Sequence, residues 1–284
     1  MLRPYTRPGA VIVDVAVLPG VVLEVERKVA IVVDALRASS TVTAMFDAGA
    51  GAVIVAADPA DAFSIVGDER ERYLICGESG GLPPAGFDYG NSPRQVAELD
   101  LAGREVVLST SNGTRALRAV AEARLALVGS GRNGSAVSSY ALGQAERTAS
   151  DLTLVCAGDE RGTIFSLEGL FFAGYLVERI ARLREFSWPV DESDPRSGDP
   201  SCWVLDESAV AARRLYRSYL PPDRVEARPS PETVLAVLDE ARNGHSLPRI
   251  GYGPDLEYCA QVDCSAALPR LSRHDGRLVL VAAD

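Results

Sequence analysis

The chain has 284 residues, 47% of them hydrophobic, which is enough for a sizeable α/β core. Its formal net charge is −10 and its arginines form no basic cluster, which argues against nucleic acid or an anionic membrane as a partner. Two histidines and one lysine, Lys28, are too few for a histidine triad, a zinc centre or a P-loop.

Residues 1–8 lack an apolar signal core, and no apolar run approaches the roughly 18 residues a membrane span needs, so a cytoplasmic protein is expected. Residues 11–18 and 21–25, separated by Pro19-Gly20, predict an N-terminal hairpin. The apolar run 29–33 predicts a short buried strand. It ends on Asp34, Arg37 and the hydroxyls of Ser39, Ser40 and Thr41, followed by a helix over 40–48, a glycine stop and a strand over 52–56. Such a βαβ unit implies parallel pairing with a right-handed crossover. In open α/β sheets, ligands collect beyond the carboxyl ends of strands, where helix N-termini attract anions.

A similar unit follows: a strand at 106–108, the polar turn Ser109-Thr110-Ser111-Asn112-Gly113-Thr114, a helix to about 122 and a strand at 125–128. Setting Thr41 on Thr114, 73 residues apart, aligns the two units. A third strand, 152–156, runs into Gly158-Asp159-Glu160-Arg161-Gly162 and a helix over 166–184. Residues 76–93 hold five glycines and three prolines, a long irregular loop of the kind that usually carries function. Residues 189–200 read as an acidic surface excursion. Helices over 208–219 and 231–242, the second capped by Asn243-Gly244, and a strand over 278–282 complete the chain. Cys76, Cys156, Cys202, Cys259 and Cys264 lack metal-ligand spacing and read as buried, reduced thiols.

Carboxylates, hydroxyls, asparagine, arginine and glycine at successive strand ends suit a hard cation such as Mg²⁺ together with a phosphorylated ligand. Each residue also has a plainer role. Asp34 and the three hydroxyls cap helices in many proteins, Arg37 fits a surface ion pair, Glu78 and Asp88 fit solvated loop acids, and Glu168 suits a helix first turn. Recurrence at several strand ends is what favours a site.

Four motifs then occur in order: Val33-Asp34-Ala35-Leu36-Arg37-Ala38-Ser39-Ser40-Thr41; Gly77-Glu78 with Gly86-Phe87-Asp88-Tyr89-Gly90-Asn91-Ser92-Pro93; Ser109 to Thr114; and Val155-Cys156-Ala157-Gly158. Together they closely resemble the 2-phosphosulfolactate phosphatase family over nearly the whole chain. The resemblance implies a three-layer α/β/α fold with a mixed, largely parallel sheet, as one catalytic domain over 1–284 or two lobes of about 1–150 and 151–284. It implies a Mg²⁺-dependent phosphatase converting 2-phospho-3-sulfolactate to 3-sulfolactate and phosphate, a step toward coenzyme M. A phosphatase for a different small phosphoester, or a weakened anion-binding homologue, is the alternative, and a homo-oligomer is compatible with either.

On this reading Mg²⁺ is held by Asp34 with one or more of Glu78, Asp88 and Glu168. Asp34, Arg37, Glu78 and Asn112 form the catalytic set, with Arg37 neutralising developing charge. Ser39, Ser40, Thr41, Ser109, Thr110, Gly113 and Thr114 cradle the phosphoryl group. Asn91 and Asn133 orient the substrate, and Ser92 and Gly158 complete the substrate- and phosphate-binding set. Metal-activated water is expected rather than an aspartyl-phosphate, because the Asp-x-Asp of familiar aspartyl phosphatases is absent. Two departures stand out: Gly169 where the family pattern has Asp, and Ser79 where it usually has Arg.

Overall fold

The computed structural model describes residues 11–184, 186–187, 203–221 and 228–283, with the side chains of 186 and 187 left out. The expectations for residues 1–8, the 189–200 excursion and Cys202 therefore lie outside the described residues.

In chain order the strands are β1 (Val11–Ala16), β2 (Lys28–Val33), β3 (Ala52–Val55), β4 (Tyr73–Gly77), β5 (Glu105–Ser109), β6 (Leu125–Gly129), β7 (Asp151–Cys156), β8 (Phe186–Ser187), β9 (Trp203–Leu205), β10 (Pro269–His274) and β11 (Arg277–Ala282). The helices are α1 (Ala38–Asp47), α2 (Pro59–Val66), α3 (Pro93–Val96), α4 (Gly113–Ala119), α5 (Gly134–Thr148), α6 (Leu167–Leu183), α7 (Glu207–Ser218), α8 (Pro231–Glu240), α9 (Arg242–Arg249) and α10 (Pro254–Cys259). All strands join one sheet in the order β4-β5-β3-β11-β10-β6-β2-β7-β1-β9-β8.

The central strands read as unbroken apolar runs because both of their faces are covered. Val29, Ile31 and Val33 of β2 pack with α5 and α6 in one core, while Ala30 and Val32 pack with Met45 of α1 and Leu117 of α4 in the other. Those two cores on opposite faces of the sheet make the expected three-layer α/β/α architecture.

Two parallel blocks, β4-β5-β3 and β6-β2-β7-β1-β9-β8, flank the antiparallel β10–β11 hairpin, which pairs antiparallel with each. The three strands nearest the hairpin on each side, β3-β5-β4 and β6-β2-β7, correspond. The unit β2-α1-β3-α2-β4 and the unit β5-α4-β6-α5-β7 each lend their first strand to the other's side, which is the structural form of the 73-residue recurrence. Consequently β2 and β3 are not neighbours, and parallel pairing within that unit does not occur. The ladder runs the blocks oppositely, but a typical twist of roughly 20–25° per strand turns them through about 100–125° over the five steps from β2 to β5. This lets loops after strands of both blocks reach one pocket.

Three further expectations are corrected. Residues 21–25 form no hairpin partner: β1 pairs in parallel with β7 and β9, and the chain leaves it through two short 3-10 turns. The helix expected over 231–242 ends at Glu240, and Asn243-Gly244 lies inside α9 rather than capping α8. Gly244 is there for close approach, since a Cβ would fall 1.6 Å from the Leu238 carbonyl oxygen. Cys264 is exposed, whereas Cys76, Cys156 and Cys259 are buried free thiols, their pKa pushed up to about 12 by burial. Lys28 is buried against Asp14 at the start of β2, a structural ion pair. Among the described residues, no helix is long and apolar enough to cross a membrane.

Candidate active site

The loops after β2, β4, β5 and β7, together with the start of α9, enclose a cavity of about 360 Å³. Its acidic wall carries Asp34, Glu78, Asp159 and Glu160, and its other polar residues include Arg37, Asn91, Asn112, Arg161, Arg242 and Asn243.

Asp34 is the first residue beyond β2. Its Oδ1 accepts from the Ala38 N–H at 3.3 Å, and its own N–H donates to Ser39 Oγ at 2.9 Å. Burial, then the neighbouring Glu78 charge, raises its pKa from 3.8 to about 7, the Ala38 amide opposing and Glu168 and Asp159 adding to the rise. At neutral pH the carboxyl is therefore poised between its two forms.

The hydroxyls expected to hold phosphate are instead turned onto the backbone. Ser39 Oγ donates to the Val32 carbonyl, Ser40 Oγ to Ala35, and Thr41 Oγ1 to Arg37 and Asn91. All three are buried, and they fix the 34–37 loop rather than facing the cavity. Thr110 and Thr114 likewise close on each other, with Thr114 N–H donating to Thr110 Oγ1 at 3.0 Å and Thr114 Oγ1 to the Thr110 carbonyl at 2.7 Å. Ser109 is buried at the end of β5, where its carbonyl accepts the Glu78 N–H. The reason is common to Ser39, Ser40, Thr41, Thr110 and Thr114: a buried hydroxyl beside a loop finds backbone partners before solvent or ligand.

Gly113 matters through its missing side chain. A Cβ there would sit 2.4 Å from Ala38 Cβ and 2.8 Å from Asp34 Oδ2, so glycine lets the N-termini of α1 and α4 meet beside Asp34. Asn112 lines the cavity, but its Oδ1 accepts the Arg161 N–H at 2.8 Å, tying the β5 and β7 loops together.

Arg37 is buried. It donates to Asp255 at 2.8 Å and to the Gly81 carbonyl at 2.7 Å, and its guanidinium carbon lies 4.3 Å from the Tyr252 ring centre. It is a clamp between the first loop, the glycine-rich loop and α10. Glu78 accepts from Ser111 N–H at 2.6 Å, Ser111 Oγ at 3.2 Å and Gly81 N–H at 2.8 Å, holding two loops in register. Asn91 lines the cavity with its Oδ1 buried and without a protein partner.

Glu168 is buried in the first turn of α6, just behind the cavity. Its Oε1 accepts from Asn243 Nδ2 at 3.1 Å, and its Oε2 has no protein partner. Asn243 Nδ2 also donates to Asp159 Oδ1 at 2.6 Å. Burial pushes both acids above the usual carboxylate range, with Asn243 pulling each back.

The remaining candidates lie elsewhere. Asp88 accepts from Ile75 N–H at 2.7 Å and pairs with Arg70, closing the glycine-rich loop onto β4 instead of facing the cavity. Ser92 Oγ donates to Asp255 at 2.6 Å and caps α3. Asn133 is buried, bonded to Ser130 and to the carbonyls of Val128 and Ala267. Gly158 takes a left-handed turn where a Cβ would meet the Ile164 carbonyl at 2.7 Å.

This chain matches the family model described as 2-phosphosulpholactate phosphatase over residues 21–274. The chain belongs to the 2-phosphosulpholactate phosphatase family. The resemblance seen in the four motifs thus extends over most of the chain. A protein of Thermus thermophilus named probable 2-phosphosulfolactate phosphatase is 33% identical over 89% of this chain and 91% of its own length. Proteins of the same name from Carboxydothermus hydrogenoformans and Gloeobacter violaceus are 29% and 33% identical over 94% and 85% of this chain, and 96% and 87% of their own lengths.

Within the family frame, both departures have a place. Ser79 sits in the glycine-rich loop, its N–H donating to the Leu82 carbonyl. Gly169 packs tightly: its N–H donates to the capping Ser166 Oγ at 3.1 Å, and a Cβ would lie 3.0 Å from that oxygen.

Sequence reading missed Asp159, Arg161, Arg242 and Asn243 as site residues. The first two stand in a strand-end loop, the position rule that found Asp34, and that signal was there to use. Arg242 and Asn243 open a helix late in the chain, where no local pattern announces them.

Proposed function

We propose that this protein is a Mg²⁺-dependent phosphatase hydrolysing 2-phospho-3-sulfolactate to 3-sulfolactate and phosphate. The observation that carries the reading is the meeting of Asp34 and Asp159 in one cavity with Glu168 behind it, Glu168 being joined to Asp159 through Asn243 and carrying a buried carboxylate oxygen without a protein partner, in a chain of this family. Among the described residues no three acidic, histidine or cysteine side chains stand in ready-made coordination. The donor chemistry still fits a hard cation: all-oxygen ligands, mutually repelling charges, and Glu168 Oε2 unsatisfied. Asp34, Asp159 and Glu168 would hold the ion. When bound, it supplies positive charge and Lewis acidity at the phosphoryl oxygens.

The protein's own groups do the rest. The Asn91 amide orients the substrate within the cavity. Asn243 aligns Asp159 and Glu168. Glu78 and Asn112 fix the loops that surround the phosphoryl position, so that little reorganisation accompanies reaction. Asp34 lies at the floor of this arrangement, and its ionised form is the active one.

Incubation with 2-phospho-3-sulfolactate and Mg²⁺ is expected to release phosphate, and EDTA to stop it. No release with Mg²⁺ overturns the substrate, and release indifferent to EDTA overturns the metal. A second test addresses the helix contact. Gly113→Ala is expected to lower stability by about 1–3 kcal/mol, as overpacking does, and to cut kcat at least about tenfold by pushing Asp34 aside. Unchanged kcat with a lowered melting temperature would show that the contact is structural only.

A further inference from the structure

We propose that Arg161 and Arg242 form a subsite for a second acidic group, a carboxylate or sulfonate, on the phosphorylated substrate. The inference rests on the phosphatase reading and adds the recognition of the non-phosphate half.

Three arginines line the cavity. Arg37 is buried and bonded to Asp255 and Gly81 beneath Tyr252, which leaves it no freedom to grip a ligand. Arg161 and Arg242 differ. Both are exposed, and neither has an ion-pair partner within 4 Å among the described residues. Of the acids that line the cavity, Asp159 is hydrogen-bonded by Asn243 and Glu78 by Ser111 and Gly81, while Asp34 and Glu160 form no ion pair with either arginine.

Each cation is placed at a cost to the fold. Glu160 and Arg161 are consecutive non-glycine residues in the left-handed region, with φ of 46° and 63°, a conformation disfavoured by roughly 1–2 kcal/mol per residue. The Asn112 side chain holds this loop by accepting the Arg161 N–H. Arg242 is the first residue of α9, whose N-terminus has no side-chain cap. A cation there opposes the helix dipole, and no carboxylate pairs with it within 4 Å, Asp159 standing only near enough to feel its charge. An anion in the cavity removes that conflict, because both arginines and the open end of α9 favour negative charge.

The cavity therefore carries two sets of charges. The acids, with a cation, serve the phosphoryl group, while the arginines serve the acidic tail. Its volume of about 360 Å³ falls in the usual range for small-molecule sites, roughly 300–1,000 Å³, so one small ester reaches both sets.

The test compares two secondary phosphoesters, 2-phospholactate, which has a carboxylate, and glycerol 2-phosphate, which has none. Wild type is expected to show a KM at least about tenfold lower for phospholactate. In Arg161→Gln/Arg242→Gln that preference should collapse, with KM for phospholactate rising about 10–100-fold per arginine and kcat falling less. Lysine at both positions should restore part of the preference. Extending the series to 2-phospho-3-sulfolactate identifies the acid held: a larger loss there assigns the sulfonate, an equal loss the carboxylate. Calorimetric titration with 3-sulfolactate, which has no phosphate, reads the subsite without turnover. Wild type should bind it and the glutamine variant should not. If wild type releases phosphate from no ester, the phosphatase reading fails and the titration alone judges the subsite. An unchanged KM ratio, or equal sulfolactate binding by wild type and variant, overturns the proposal.

Discussion

Asp34→Asn is expected to abolish phosphate release, by about 10³-fold or more, and at the same time to stabilise the metal-free protein at neutral pH. The carboxyl has a folded pKa of about 7 against 3.8 for the free group. Between those values the folded state keeps a proton that the unfolded state has lost, so stability falls as pH rises. The slope is about 1.4 kcal/mol per pH unit. The cost is absent below about pH 4 and reaches an upper bound of about 4 kcal/mol near pH 7. Asparagine preserves the side-chain shape and the Ala38 contact but has no proton to lose. In EDTA, the melting temperature of the variant should match wild type near pH 4 and exceed it increasingly toward pH 7. Added Mg²⁺ should raise the wild-type melting temperature and leave the variant unchanged. Identical melting curves at pH 4 and pH 7, or retained turnover, would remove Asp34 from the centre of the site.

Arg37→Met is expected to unfold the protein at a much lower temperature. Arg37 and Asp255 are 2% and 3% exposed, and methionine would leave the Asp255 carboxylate buried with only the Ser92 hydroxyl to satisfy it. Breaking such a pair from one side costs about 3–5 kcal/mol, which lowers the melting temperature by roughly 6–20 °C for a chain of this size. Because most of that cost is an unpaired charge, Arg37→Met/Asp255→Asn should recover at least half of the loss. The experiment is thermal melting of wild type, the single and the double variant in one buffer. A double variant no more stable than the single one would place the cost in lost packing on Tyr252 instead.

These two predictions separate roles that look alike in the sequence. Asp34 and Arg37 belong to one motif and both line the cavity, yet burial raises the Asp34 pKa while Arg37 is held by Asp255, Gly81 and Tyr252. Nothing in their spacing distinguishes a carboxyl with a raised pKa from a buried clamp.

The sequence by itself determined the strand-loop-helix units, the ends of β2, β5 and β7, the recurrence of one unit 73 residues on, and the family. Those features depend on local periodicity and short-range chemistry, which survive without knowledge of distant contacts. Tertiary structure alone decided the rest. It set which strands are neighbours, because two units exchange their first strands across the β10–β11 hairpin. It turned Ser39, Ser40, Thr41, Thr110 and Thr114 inward, because burial makes a hydroxyl seek the nearest backbone acceptor. It also brought Asn243 to Asp159 and Glu168 and Arg242 to the same cavity as Asp159, a meeting of residues far apart in the chain that no local pattern encodes. The acids of the cavity were thus partly legible one strand end at a time, and Arg242 joined them only once the chain had closed around it.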